Sequence, residues 1–104
     1  MSLVYTIGKI GRRYKSTGDQ NLTVSGSSVA LTVPTGTTRG FVLIQDNNVH
    51  VSFDGTAAAT TNLPLPVGDG LDFMDGDDNN AILSALRFIR AGGSDGTAYA
   101  VYFD

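Results

Sequence analysis

A chain of 104 residues makes one domain of ordinary size, with room for a single modest core and none for a catalytic domain plus a second one. It has no cysteine and one histidine, which excludes disulfides, thiolate chemistry and a cysteine-based zinc site. The net charge is −3, and all ten acids are Asp; only two Lys and two Met occur, against thirteen Gly and eleven Thr. Glu, Lys and Met lose little rotamer freedom in helices, so a chain that avoids them in favour of Gly, Thr, Val and Asp reads as all-β with many turns. The expected architecture is a single compact β-sandwich or jelly-roll-like barrel of seven or eight short antiparallel strands, with an extended amino-terminal arm.

In chain order, Leu3–Ile10 alternates with period two, but Gly8 and Gly11 suit an edge strand or an arm better than an interior one. Ser16–Asp19 reads as a turn and Asn21–Ser25 as a short strand. Ser28–Val33 alternates until Pro34, where Pro-Thr-Gly supplies a turn. Arg39–Asp46 carries Phe-Val-Leu-Ile, apolar on both faces, which marks a central strand. Asn47-Asn48 fits a two-residue hairpin turn into Val49–Asp54, with Val49, Val51 and Phe53 facing in. Gly55–Pro66 is a long uncharged loop, and long loops are often functional. A strand near Leu71–Met74, a polar tip at Asp75–Asn80, a helical turn or strand at Ala81–Leu86, a strand to Arg90, a Gly-Asp-Gly turn and a last strand Thr97–Phe103 complete the chain. The expected core is Val29, Leu31, Phe41, Leu43, Val51, Phe53, Phe88, Ile89 and Val101.

Charge divides the chain into a basic segment, residues 1–18, and a body, residues 19–104. Lys9, Arg12, Arg13 and Lys15 give the first +4 with no acid, leaving −7 for the second. Such a segment is either a solvated first strand or an arm that leaves its own domain to meet an acidic surface. As an arm, Leu3, Tyr5, Ile7, Lys9, Arg12, Arg13 and Lys15 are its partner-binding residues, the apolar ones adding a strand to a partner's open edge. In the loop, Ala57, Ala58, Ala59, Leu63, Pro64 and Leu65 suit burial against another copy, which makes a homo-oligomer the expectation. Tyr5, Tyr14, Tyr99 and Tyr102 fall at the two ends of the chain, as terminal strands packing together or as exposed anchors.

The chemistry-bearing residues do not assemble into a reaction centre. His50, Ser52 and Asp54 are the residue types of a hydrolase triad, yet period two spaces them about 6.5–7 Å apart along one strand, too far for a hydrogen-bonded relay. Asp69, Asp72, Asp75, Asp77, Asp78, Asn79 and Asn80 are hard oxygen ligands in one segment. Read from Asp75, however, the EF-hand spacing places Asn80 where glycine belongs and Leu86 where the bidentate acid belongs. The segment reads as a solvated loop, with an irregular Ca²⁺ site as the alternative. Gly8-Lys9-Ile10-Gly11 matches a four-character nucleic-acid clamp without the helices it needs, and the sequence pI of about 4.7 opposes phosphate binding. No apolar run approaches the ~20 residues that cross a bilayer, and the first residues lack the apolar stretch of a signal peptide. The expectation is a protein without enzyme activity, cofactor or metal, binding neither nucleic acid nor membrane.

Four stretches carry a resemblance. LTVPTG at 31–36, VHVSFDGTAAATT at 49–61, PVGDGLDF at 66–73 and LRFIRAGGSDGTAYAVYF at 86–103 are similar to segments of small β-sandwich structural proteins of tailed-bacteriophage and prophage virions. The match runs over about three quarters of the chain and does not include the basic segment. The resemblance implies a virion component, most readily a capsid cement or decoration protein on the outer capsid surface. Such a protein binds the major capsid protein or another virion protein, and a trimer is the oligomer implied. A tail-associated or carbohydrate- or receptor-binding module is the alternative, weakened by the absence of Trp.

Overall fold

A computed structural model describes residues 15–73 and 78–104. The elements are β1 (Ser16–Val24), β2 (Val29–Ala30), β3 (Arg39–Gln45), β4 (Val49–Ser52), β5 (Leu63–Leu65), β6 (Gly70–Phe73), α1 (Asn79–Ala85), β7 (Arg87–Arg90) and β8 (Gly96–Phe103). The predicted strand at Leu3–Ile10 lies outside the described residues, as does the first half of the Asp75–Asn80 tip.

Two four-stranded antiparallel sheets form, in the orders β1-β8-β3-β6 and β2-β7-β4-β5. Every connection except β4 to β5 passes from one sheet to the other. This is the jelly-roll order of eight strands, so the all-β sandwich expected from composition is the architecture present.

The core lies between the sheets. Val24, Val42, Ile44, Val49, Phe88 and Tyr102 are fully buried there, with Ala98 and Ala100 providing room opposite the larger side chains. Helix α1 closes one end: its Leu83 is buried against Gly40, where an added Cβ would stand 2.4 Å from the leucine Cδ1. Asn79 ties this helix to the sheet by donating from Nδ2 to the carbonyls of Thr38 (2.9 Å) and Phe73 (3.3 Å).

Several expectations are corrected. The Ser16–Asp19 turn is instead the start of β1, whose register against β8 shifts between Ser16 and Gly18; Gly18 adopts φ +150°, so the glycine makes a bulge and not a reversal. The Asn47-Asn48 hairpin is an arch. β3 and β4 are both present, but they belong to opposite sheets, each already flanked on both sides: β3 by β8 and β6, β4 by β7 and β5. The left-handed residue is Asp46, at φ 70°, and the asparagines bind neighbouring loops: Asn47 Nδ2 donates to Asp95 O (2.8 Å), and Asn48 Oδ1 accepts from Val67 N (2.9 Å).

The facing of two strands also changes, and two further core assignments fail. In β3, Val42 and Ile44 point inward while Phe41 and Leu43 lie half-buried on the outer face. In β8, Ala98, Ala100 and Tyr102 are inward and Val101 outward. Both strands are apolar on both faces, so alternation by itself gives no sign of which face meets the other sheet. Ile89 is half-buried beside the buried Phe88. β4 ends at Ser52, and Phe53 turns out to solvent at 44% exposure. Leu31, Val51 and Phe88 are in the core, and Val29 packs against it.

Candidate functional site

The triad residue types are spent on a turn. His50 Nδ1 donates to the Asn62 carbonyl at 2.9 Å. Ser52 Oγ donates to Asp54 Oδ1 at 2.9 Å, and the same oxygen accepts the Thr56 hydroxyl and the Thr56 backbone N–H (3.1 Å). Led by the Thr56 hydroxyl, these donors hold the exposed Asp54 carboxyl down to about 2. An acid so far below neutral is a poor proton acceptor, and the histidine bonds a main-chain carbonyl, so the stripe has the geometry of a loop anchor.

That anchor fixes the Gly55–Pro66 segment on the body. Gly55, at φ +82°, donates its N–H to Ala85 O (3.0 Å); Ala58 N donates to Ser28 Oγ (2.9 Å); Ala59 N donates to Asn62 Oδ1 (2.7 Å). Of the residues expected to serve self-association, Ala58 is buried and Leu65 is in the core, used by the chain's own packing. Ala57, Ala59, Leu63 and Pro64 are exposed, and Leu63–Leu65 forms edge strand β5 against β4.

The acidic segment is dispersed. Asp69 uses its main chain, donating to Pro66 O (3.0 Å) and accepting from Ile44 N (2.9 Å). Asp72 faces Arg39 at 3.7 Å, Asp78 precedes α1, and Asp75 and Asp77 lie outside the described residues. Among the described residues, no three His or Asp side chains are grouped to hold a metal ion.

Of the basic segment, Lys15 is described. It is exposed and lies beside Asp104, donating its N–H to Asp104 Oδ1 (2.9 Å) and accepting from Asp104 N (2.9 Å). Leu3, Tyr5, Ile7, Lys9, Arg12 and Arg13 lie outside the described residues.

The surface with the most unusual composition was not anticipated. The outer face of the β1-β8-β3-β6 sheet carries Phe41 opposite Val101, Leu43 opposite Tyr99, and Arg39 opposite Phe103. Asp19 on β1 and Asp72 on β6 bound the Phe41–Val101 row at its two ends. Arg39 is only 6% exposed; its guanidinium lies 5.9 Å from the Phe103 ring centroid and reaches Asp72. The signal in the sequence was the double-faced apolar character of β3, read there as centrality within the sheet, and of β8, read there as a plain last strand. Of the tyrosines, Tyr102 is buried in the core, its hydroxyl donating to Gln20 Oε1 (3.1 Å), and burial raises it to about 12. Tyr99 is half-buried on the outer face and donates to Asp19 (3.2 Å). Among the described residues, no helix is long and apolar enough to cross a membrane.

Comparison of the chain with protein-family models, with curated proteins and with solved structures gave no match.

Proposed function

We propose that this chain is a structural protein of a tailed-phage particle, of the cement or decoration kind, which binds the major capsid protein lattice and performs no chemistry. The observation that carries the reading is the strand order β1-β8-β3-β6 over β2-β7-β4-β5. Jelly rolls recur among virion shell proteins and among lectins, so by fold analogy the order supports a binding role. The sequence resemblance to phage virion proteins points to the first of these. A sugar site would use exposed rings as stacking platforms, whereas Tyr102 is in the core and Tyr99 is part of a sheet face. The basic cluster of Lys9, Arg12, Arg13 and Lys15, next to a body of charge −7, is the part suited to an acidic patch on the neighbour. A homotrimer is the assembly proposed, since shells of this kind offer threefold positions.

The test is to mix the purified full chain with expanded phage capsids that lack it and sediment the particles. Saturable co-sedimentation that weakens with salt is the expected result. A chain that stays in the supernatant while binding a glycan array would replace this reading with the carbohydrate-binding one.

A further inference from the structure

We propose that Asp69-Gly70, where the chain enters edge strand β6, is a site of spontaneous modification: the Asp69 carboxyl closes on the Gly70 amide and reopens as an isoaspartyl link. The inference stands apart from the virion reading, because it concerns the chain's own covalent chemistry and no partner.

The step needs no co-reactant. The Gly70 nitrogen attacks Cγ of the protonated Asp69 carboxyl; the N–Cγ bond forms, and the carboxyl hydroxyl leaves with the amide proton as water. Water then opens the five-membered ring. Breaking the new N–Cγ bond restores aspartate. Breaking the bond from the same nitrogen to the main-chain carbonyl carbon leaves the chain running through Cγ. The mass is unchanged, and nothing is oxidised or reduced. Glycine admits this attack most readily, since no Cβ shields its nitrogen.

Among the described residues, Asp54-Gly55, Asp69-Gly70 and Asp95-Gly96 are steps of this kind, and three observations set the second apart. The first is the carboxyl. Ser52 and Thr56 hold Asp54 down to about 2 in place of 3.8, so its reactive protonated form is more than about tenfold rarer at a given pH. Asp95 is held by Arg90 at 2.7 Å. The Asp69 carboxyl is exposed and bonds no partner among the described residues. The second is the nucleophile. Gly55 donates its N–H to Ala85 O (3.0 Å), and Gly96 is buried in β8 between β1 and β3. Gly70 stands opposite Leu43, and the bond beside that pair runs from Ile44 N to Asp69 O (2.9 Å). In an antiparallel ladder this makes Leu43–Gly70 a pair that exchanges no bond of its own, so the Gly70 N–H points away from β3. Among the described residues, no strand flanks β6 on that side. The third is freedom. Gly70 begins a four-residue edge strand, and such ends open at small cost. The Asp69 main-chain bonds, to Pro66 O and from Ile44 N, are the hold that opens. The isoaspartyl link adds one carbon to the main chain here. Ile44 N and Asp69 O then no longer meet, and β6 loses its first pair on β3.

The experiment ages the full chain, folded and in urea, for several weeks at mildly acidic pH and body temperature. Peptide mapping with electron-transfer fragmentation, which cleaves the extra backbone bond of isoaspartate, scores each Asp-Gly step. In the folded chain, isoaspartate is expected at position 69 about tenfold or more above positions 54 and 95. In urea the three steps are expected to react alike, because the fold no longer separates them. Asp69→Glu, whose longer side chain cannot close a five-membered ring, is expected to abolish the signal at 69 alone. Position 54 or 95 keeping pace with 69 in the folded chain overturns the proposal, as does a position 69 that stays aspartate there. Particle binding plays no part in these readouts, so their failure is distinct from failure of the virion reading.

Discussion

Phe88→Ala and Phe53→Ala form a matched pair that tests where the core lies. Phe88 is fully buried at the centre of the β2-β7-β4-β5 sheet, opposite Val29 on one side and Val51 on the other. Removing its ring leaves a cavity walled by two paired strands with little freedom to collapse, and such truncations cost about 3–5 kcal/mol. At about 4–8 °C per kcal/mol for a domain near this size, the loss is tens of degrees, and it unfolds a domain at the lower end of the usual 5–15 kcal/mol range. Phe53 stands just past β4 with 44% of its surface in water. Full burial of a Phe is worth roughly 1.5–3 kcal/mol, so about half of that, near 1 kcal/mol, is at stake. The assay is thermal unfolding followed by circular dichroism on both variants. Equal shifts, or a larger one for Phe53→Ala, would mean that the phenylalanine of the Val49–Asp54 run does enter the core, and the strand boundary at Ser52 would be wrong.

Gly70→Ala is expected to destabilise more than Gly40→Ala, because the new Cβ meets the Val42 carbonyl oxygen, a backbone atom, in the first case and the movable tip of Leu83 in the second; denaturant midpoints compare them. Tyr102→Phe removes the hydroxyl bonded to Gln20 and is expected to cost about 1 kcal/mol, and ultraviolet titration is expected to find one tyrosine ionising only near pH 12 in the native chain. Asp54 is ionised in the folded chain down to about 2, below its ordinary 3.8, so its contribution to stability is present above pH 4 and is lost as the pH falls through about 2; Asp54→Asn is expected to flatten the melting temperature across that window.

The strand pattern was legible where chemistry punctuates the chain. Pro34 and Gly36 end the segment after β2, with Gly36 at φ +88° and the Thr37 N–H bonded to Pro34 O (3.3 Å). The last strand was placed within one residue, because Gly-Ser-Asp-Gly precedes a clean alternation. Sheet membership was not legible. An Asn-Asn pair between two alternating runs has the same local signature whether the runs pair with each other or with distant partners, and β3 and β4 take theirs from β8, β6, β7 and β5. Facing failed for a related reason. Where Phe41–Ile44 and Ala98–Phe103 are apolar on both sides, the decision rests on whether small Ala98 and Ala100 or larger Tyr99 and Val101 fit between the sheets. The outer face of the sheet stayed hidden because two strands, adjacent only in the fold, compose it.

The same point bears on what the four resembling stretches mean. In the structure each is a device for moving the chain or holding a loop. VHVSFDGTAAATT is β4 followed by the Asp54-anchored loop. PVGDGLDF crosses from β5 to β6, with Gly68 at φ +91° donating its N–H to Ile44 O and Gly70 packed on Val42 O. LRFIRAGGSDGTAYAVYF crosses from β7 to β8, with Arg90 held by Asp95 at 2.7 Å and Gly96 packed on Asn47 O. Residues that make such crossings serve the strand order, whatever the surface binds. The resemblance therefore speaks first for architecture, and the proposed virion role rests on the basic segment before Ser16, which lies outside those stretches. Substitutions there, with the crossings left intact, separate binding from folding.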